Sequence, residues 1–183
     1  FSLRALPMLR INVGPVFTVM NDCKYGYSCD GDRLTLSLLK ASTYPNPVAD
    51  RGEHRVTYSL LPHSGNYVEG KTVRRAYALN DPLQAVRVEN NHGQPLPGAF
   101  VTCDKANVII ETVKKAEMRD SLIVRTYDAE NMAVVALLRS AFPVKEAYLC
   151  DMMENRLSAL EVLDNSVKIP VGNFEIVTIE VVF

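Results

Sequence analysis

Apolar and polar residues alternate with a period of two along several short stretches, and this alternation constrains the fold more than any other feature. Leucine occupies every second position of residues 34–38, and Val56, Tyr58 and Leu60 occupy every second position of a later stretch. A period of two matches a β-strand, whose successive side chains point to opposite faces. Both stretches therefore predict strands with one apolar face and one face toward water.

Further strands are predicted where β-branched and apolar residues cluster, at residues 108–112, 121–127, 132–138 and 174–183. The short link 117–120 suits an antiparallel hairpin. Gly, Pro, Asn and Asp predict turns at 30–32, 44–47, 91–95 and 170–173. Many short strands separated by turns are typical of an antiparallel sandwich or barrel.

One segment departs from the strand pattern. Residues 67–79 place apolar side chains near helical spacing, and Asn80-Asp81-Pro82 follows as a stop signal. We therefore predict a single short helix in an otherwise all-β chain.

Length and charge limit the remaining classes. The chain has 183 residues, enough for one domain or at most two small ones, and its formal net charge is −1. A near-zero charge argues against a general nucleic-acid binder. The apolar runs, such as residues 133–138, are far too short to cross a membrane. Because the first residue is Phe1 and not Met, we expect the chain to be a piece of a longer protein.

Cysteine and histidine usage gives no sign of a metal site. The four cysteines lack CxxC spacing, and a chain of this size needs no disulfides, so reduced structural thiols and a cytosolic location are favoured. His54, His63 and His92 stand far apart and match no zinc signature. We therefore expect no metal ligands here.

Two polar clusters are candidates for function. In residues 21–28, Asn21 and Asp22 are expected to cap a turn; the alternative is a loop that presents a carboxylate, an ammonium and two phenols to a polyhydroxylated ligand. Residues 50–54, in the long loop 41–53, predict a solvated loop first and an anion or sugar contact second. Cys23 is expected to be a buried, inert thiol, since no histidine partner follows from spacing.

Enzyme motifs do not extend this interpretation. A retaining glycosidase needs two carboxylates at short separation, but the spacing of 21 acidic residues selects no pair. The phosphate-loop, dinucleotide and serine-elbow patterns are all missing from the sequence. Residue chemistry alone therefore predicts an all-β domain with polar loops.

Taken together in their order, several segments resemble the C-terminal region of α-mannosidases of glycoside hydrolase family 38, in the bacterial and cytosolic or vacuolar branch. The resemblance runs from about residue 16 to the end, leaving residues 1–15 as an unassigned N-terminal segment, of which 1–12 do not look like the family. The segments that carry it are 19–28 (VMNDCKYGYS), 34–39 (LTLSLL), 49–54 (ADRGEH), 57–63 (TYSLLPH), 78–83 (ALNDPL), 107–117 (NVIIETVKKAE), 122–127 (LIVRTY) and 174–176 (FEI).

The resemblance implies an antiparallel β-sandwich, part of a galactose-mutarotase-like supersandwich with a small β region, over residues 16–183. It implies a parent enzyme that hydrolyses terminal α-mannosides with retention, using an aspartate nucleophile and a zinc ion. Both belong to an N-terminal catalytic domain that nothing in this chain resembles. We therefore expect a fragment without catalytic residues, metal or cofactor of its own, in a cytoplasmic protein of mannose and glycan catabolism.

The expected partners are the catalytic domain of the same parent chain and, through it, an α-mannoside. Loops of this region are expected to complete the wall of the sugar pocket, with Asp22, Lys24, Tyr25, Asp50 and Arg51 as substrate-binding candidates. The alternative, that these residues only hold the loops or a domain interface, accounts for them about equally well. An independent carbohydrate-binding module is a further alternative. An exposed apolar patch, covered by a partner or by self-association as a homo-oligomer, should mark the missing domain.

Overall fold

The computed structural model describes residues 16–31, 33–87 and 98–183, and the chain divides into two compact units, 1–87 and 88–183. The predictions for residues 1–15, for Asp32 in the first turn, and for the turn 91–95 with His92 lie outside the described residues. The domain boundary between residues 15 and 16 therefore stays a prediction. Within the described residues, the all-β antiparallel class with one helix is confirmed.

The first unit contains two small antiparallel sheets and the helix. Strand β1 pairs with β4, with Val19 opposite Leu60, and β2 pairs with β3 as a hairpin. The predicted strands at 34–38 and 56–60 are present with shifted ends. The elements are β1 Val16–Asn21, β2 Tyr27–Asp30, β3 Arg33–Leu36, β4 Tyr58–His63 and α1 Thr72–Asn80.

The helix is shorter than the predicted 67–79 because the backbone breaks at Lys71. This residue has a φ of 51°, in the left-handed region that ends regular helix. A separate turn precedes the break: the Asn66 side chain accepts hydrogen bonds from the backbone N–H groups of Val68 and Glu69, at 2.9 and 3.2 Å, and the Glu69 carboxylate accepts the N–H of Asn66 at 2.7 Å. This reciprocal capping box explains why apolar periodicity begins before the helix does.

Strand β4 keeps the alternation of its sequence but exposes the apolar side. Tyr58 and Leu60 are 57% and 60% exposed, while Ser59, Leu61 and His63 are half-buried. The half-buried side is the one that faces α1: Thr18, on the β1 face shared with Leu61 and His63, bonds the Thr72 hydroxyl at 3.1 Å. The helix therefore covers the more polar face of the two-stranded ribbon formed by β1 and β4.

The second unit is a β-sandwich. A five-stranded sheet has the order β10-β9-β13-β7-β6, a four-stranded sheet has the order β11-β12-β8-β5, and every pair is antiparallel. The predicted hairpin at 117–120 joins β6 to β7 and is confirmed. The strands are β5 Val101–Cys103, β6 Val108–Lys115, β7 Leu122–Asp128, β8 Val134–Ser140, β9 Glu146–Cys150, β10 Arg156–Ala159, β11 Val162–Leu163, β12 Ser166–Val171 and β13 Ile176–Val182.

Branched aliphatic side chains from both sheets form one core. Strand β12 shows the pattern: Val167, Ile169 and Val171 are buried, and the residues between them are exposed. Val124 of β7 and Ile179 of β13 contribute from the facing sheet. Because each strand gives alternate residues to this layer, the outward faces remain free for polar groups.

One of those outward faces carries a buried ion cluster. Glu180 follows the core residue Ile179 on β13, so its side chain points away from the core, yet it is fully buried. Its carboxylate accepts hydrogen bonds from Arg156 Nε at 2.7 Å, Arg119 Nε at 2.8 Å and Ser121 Oγ at 2.6 Å. The paired Arg156 holds the pKa of Glu180 down to about 2 despite burial. The cluster fixes the 117–121 loop and β10 onto the sheet.

Candidate functional site

The cluster at 21–28 is a loop organised by Asn21 at the end of β1. The Asn21 Oδ1 atom accepts the backbone N–H of Cys23 at 3.0 Å and also that of Lys24. Its Nδ2 donates to the Tyr27 hydroxyl, which in turn donates to the Val19 carbonyl at 3.3 Å. The predicted turn-capping role of Asn21 is confirmed, and it sets the path of the loop that carries the next side chains.

Asp22 was expected to cap the turn within residues 21–28, but its carboxylate bonds the backbone just before β4. Both carboxylate oxygens lie 3.1 Å from the backbone N of Thr57, and the Asp22 N–H donates to the Thr57 carbonyl at 3.2 Å. Hydrogen bonds from Cys23 and Thr57 hold the pKa of Asp22 below its usual value. Asp22 therefore ties the loop to the residues that enter β4, and its carboxylate stays ionised.

Cys23 is exposed, so the prediction of a buried thiol is wrong. The chain turns at this residue, and the turn directs its side chain outward, with Sγ 4.0 Å from the Arg55 carbonyl. The hydrogen bond to the Asp22 carboxylate raises the pKa of the Cys23 thiol. A raised pKa disfavours the nucleophilic thiolate, in line with the expected inert chemistry.

Lys24 and Tyr25 are the groups that the loop presents. Tyr25 is 93% exposed, and Lys24 is half-buried. Neither side chain makes a hydrogen bond or ion pair with the part of the chain that the structure describes. Within the described residues, these two side chains can therefore bind a ligand without loss of a hydrogen bond or ion pair.

Asp50 and Arg51 occupy a second loop with its own local order. Asp50 has a φ of 58°, its carboxylate accepts the N–H of Ala41 at 3.0 Å, and its carbonyl lies 2.8 Å from His54 Nε2. The Arg51 side chain is exposed, and among the described residues it has no polar partner. Asp50 thus closes the long loop 41–53, and Arg51 projects from it.

The structure brings the first loop next to the segment that follows the second. Asp22 and Cys23 contact residues 55–57, which lie a few positions after Arg51. No hydrogen bond within 16–31 and 33–87 joins Asp22, Lys24 or Tyr25 to Asp50 or Arg51. The five candidates thus belong to one unit and to two loops linked through residues 55–57.

Two supporting residues were missed by sequence reasoning. Thr57 receives the Asp22 bonds, and Asn80, at the end of α1, donates to the Asn21 carbonyl at 3.2 Å. Both lie in segments that carry the family resemblance. Thr57 is 35 residues from Asp22 and Asn80 is 59 residues from Asn21, and sequence patterns do not predict contacts over such separations.

The described residues contain no group of three or more His, Cys, Asp or Glu side chains arranged to hold a metal ion. In the same residues, no helix is both long and apolar enough to cross a membrane.

Comparisons with known proteins identify the family. The model of the glycosyl hydrolases family 38 C-terminal domain matches residues 14–48, and that of the family 38 C-terminal beta sandwich domain matches residues 107–179. Together the two matches cover more than half of the chain.

Relatives from distant organisms agree. Alpha-mannosidase 2C1 of Homo sapiens is 39% identical over 88% of this chain and 16% of its own length. The Mus musculus protein of the same name is 37% identical over 86% of this chain and 16% of its length, and alpha-mannosidase G of Dictyostelium discoideum is 32% identical over 87% and 15%. The chain thus spans about one sixth of the length of these relatives, and the predicted branch within the family stays a prediction. The chain belongs to glycoside hydrolase family 38, as a C-terminal region of its α-mannosidases.

Proposed function

We propose that the parent protein is a zinc-dependent, retaining α-mannosidase and that this chain packs on its catalytic domain and helps to complete the sugar pocket. The observation that carries the proposal is the 39% identity, over 88% of the chain, to a protein named an alpha-mannosidase. Since the chain spans 16% of that relative, the activity is proposed for the parent and not for this region alone.

The loop chemistry supports a role in the pocket wall. Sugar hydroxyls accept hydrogen bonds from ammonium and guanidinium groups and donate to carboxylates. Lys24, Tyr25 and Arg51 offer such donors and an aromatic face, and none of the three side chains has a hydrogen bond or ion pair with a described residue that must first be broken. Asp22 and Asp50 each use part of their carboxylate on a backbone N–H, and a carboxylate has further lone pairs for a hydroxyl. The first three residues are therefore the proposed direct contacts.

The reaction itself is assigned to the rest of the parent. Retaining hydrolysis needs a carboxylate nucleophile and an acid/base carboxylate about 5 Å apart, and a zinc ion would bind sugar hydroxyls. The described residues supply no three-donor set for zinc, so the metal is proposed for the catalytic domain, and no reaction step is placed here. A cytoplasmic location is proposed because all four cysteines are free.

The test uses the full-length parent with a nitrophenyl α-mannoside. Tyr25→Phe and Arg51→Ala should each lower kcat/KM by about tenfold, the effect of losing a transition-state contact of roughly 1.4 kcal/mol. The melting midpoint should not change, because both side chains are exposed and have no polar partner among the described residues. Asp30→Asn, an exposed carboxylate change at the end of β2, is the matched control and should leave kcat/KM unchanged. Full activity in both variants would remove the pocket role.

A purely structural role is the second candidate function. It is favoured by Asp22, whose two oxygens hold the backbone of Thr57. Under this alternative, Asp22→Ala lowers the melting midpoint, while Tyr25→Phe and Arg51→Ala leave turnover intact. Loss of turnover at unchanged melting midpoint would contradict it.

A further inference from the structure

The turn between β9 and β10, residues 151–155, is closed by a single carboxylate. Asp151 Oδ1 accepts hydrogen bonds from the backbone N–H groups of Met153 and Asn155, each at 2.9 Å, and Asp151 Oδ2 accepts the Asn155 side chain at 2.9 Å. Hydrogen bonds from the side chain and the backbone of Asn155 hold the pKa of Asp151 below its usual value. The turn, and with it the position of Met152, is therefore fixed near neutral pH.

Met152 contacts two side chains on the outward face of the five-stranded sheet. Thr178 lies between the core residues Val177 and Ile179 on β13, so its side chain points away from the core. The Thr178 hydroxyl lies 3.7 Å from the Met152 sulfur, and Arg125 Nη2 donates to the Met152 carbonyl at 3.0 Å. Arg125 is the ladder partner of Thr178, so both side chains share this face. Met152 therefore lies over two neighbouring hydrogen-bond donors.

The donors beneath Met152 have weak partners or none. Arg125 Nε is buried and has no hydrogen-bond partner in the part of the chain that the structure describes. Thr178 is buried, and its hydroxyl donates to a thioether sulfur, which is a weak acceptor. A buried donor without a good acceptor destabilises the folded state. A stronger acceptor in place of this sulfur would therefore be stabilised by both groups.

The Met152 side chain is also open to solvent among the described residues. It is 56% exposed, and its neighbour Met153 is 81% exposed. Peroxides oxidise accessible methionine to the sulfoxide, which carries an oxygen on the sulfur. Exposure thus allows oxidation at both positions, but only Met152 has buried donors next to its sulfur.

We propose that Met152 is a methionine-oxidation site whose sulfoxide is bound by the buried donors of Thr178 and Arg125. The oxidant is hydrogen peroxide. A lone pair of the Met152 sulfur attacks one peroxide oxygen, and the S–O bond forms as the O–O bond breaks. The other oxygen leaves with the bonding electrons and both protons as water, so sulfur is oxidised by two electrons and peroxide is reduced.

The sulfoxide should tighten the turn, which is the opposite of its usual effect. Oxidation ordinarily makes an apolar side chain polar and disrupts its packing. Here the new oxygen accepts the Thr178 hydroxyl in place of sulfur and gives Arg125 Nε a partner. The 151–155 turn is then held more firmly to β7 and β13. Because enzymes reduce methionine sulfoxide, the modification is reversible.

The test uses the full-length parent carrying Met118→Leu and Met153→Leu, so that Met152 is the remaining methionine of these two loops. The protein is treated with hydrogen peroxide, sulfoxide is quantified at each methionine by peptide mass spectrometry, and amide exchange is compared before and after. Met132, which is half exposed, is the reference for reactivity. We expect oxidation at Met152 and a threefold to tenfold slowing of amide exchange over residues 151–156, reversed by methionine sulfoxide reductase.

Two variants separate the proposed site from ordinary surface oxidation. Met152→Leu in the same background should show no slowing after peroxide. Thr178→Val keeps the branched shape of the side chain but removes the hydroxyl, so it should at least halve the slowing while Met152 is still oxidised.

Three results would overturn the assignment. The first is the absence of sulfoxide at Met152 under conditions that oxidise Met132. The second is unchanged or faster exchange over residues 151–156 after oxidation, which would mean that the sulfoxide is not bound. The third is the same slowing in Thr178→Val as in the parent background. Turnover of α-mannosides is not a readout here, so a parent without that activity would leave the oxidation site standing.

Discussion

Each of the two units of this chain is stabilised internally by a different kind of interaction. In the second unit, twelve buried aliphatic side chains form one cluster between two sheets. In the described part of the first unit, Met20 is the single apolar side chain buried to the same degree. A sandwich of this kind carries its own hydrophobic driving force, whereas a unit with so little core depends on other contacts.

Those other contacts are side-chain bonds to backbone groups at turns. Asn21, Asn46, Asp50 and Asn66 each bond the backbone of a nearby residue in the first unit. A hydrogen bond contributes about 1 kcal/mol net, less than the burial of one large aliphatic side chain. The first unit is therefore shaped mainly by local hydrogen bonds, and the second by its hydrophobic core.

The largest difference should come from core truncation. Ile169→Ala removes a fully buried side chain from the sandwich and should cost about 2–5 kcal/mol of the free energy of unfolding. Leu61→Ala, at a half-buried position of the first unit, should cost about 1 kcal/mol, because less contact is lost. Hydrogen exchange resolved by peptide gives the opening free energy of each unit. Equal losses in the two units would abolish the contrast.

The buried carboxylate of the second unit should have the next largest effect. Glu180→Gln leaves Arg119 and Arg156 without a counter-charge and should cost about 3 kcal/mol near neutral pH, since a broken buried pair is expensive. The partly exposed arginines can reach water, which limits the cost. Glu161→Gln, which breaks the exposed pair with Lys168, is the control and should cost less than about 1 kcal/mol.

The pH dependence has a definite sign. The pKa of Glu180 is lowered from 4.5 to about 2 on folding, so the unfolded chain binds the proton first as the pH falls. The stability from this ion cluster is complete above pH 4.5 and is lost between about pH 4.5 and 2. Melting midpoints of the wild type should fall more steeply over this range than those of Glu180→Gln. Parallel curves would show that the carboxylate does not titrate with folding.

In the first unit, the change with the largest local effect should be at Asn21. Asn21→Ala removes the acceptor for Cys23 and Lys24 and the donor to Tyr27, and should cost about 1–2 kcal/mol. Asn21→Asp, which keeps an acceptor oxygen, should retain most of the stability that Asn21→Ala loses. Faster amide exchange should be confined to residues 16–31 and 58–63. Loss of protection in the second unit would contradict the division into two units.

Local patterns predicted much of the fold. The hairpin at 117–120 followed from two β-branched runs and a short link, and the end of α1 followed from Asn80-Asp81-Pro82. Strand β12 was not predicted, and its last residues were placed in a turn because of Pro170. In the structure Pro170 pairs with Val135 on one side, and the two-residue β11 ends before reaching it on the other. A proline is tolerated there because no partner needs its missing N–H.

The candidate site was predictable only where its bonds are local. Asn21 caps residues two and three positions ahead, a pattern visible in the sequence. The Asp22 bond to Thr57 and the Glu180 bond to Arg119 span 35 and 61 residues, and no periodicity encodes such pairs. The exposure of Cys23 was mispredicted for the same reason, since a turn set by Asn21 and Asp22 decides where its side chain points.

The smallest predicted effect concerns the capped turn before α1. Asn66→Ala removes the acceptor for the N–H groups of Val68 and Glu69 and should cost about 1 kcal/mol. The cost should be confined to residues 66–80, because α1 buries no residue fully and few contacts would transmit it. Asn66→Asp retains the acceptor and is the control, measured by amide exchange over the helix. If Asn66→Ala also frees β1 and β4, then α1 is a structural support of the ribbon and not an appendage, and the first unit is more cooperative than its small core indicates.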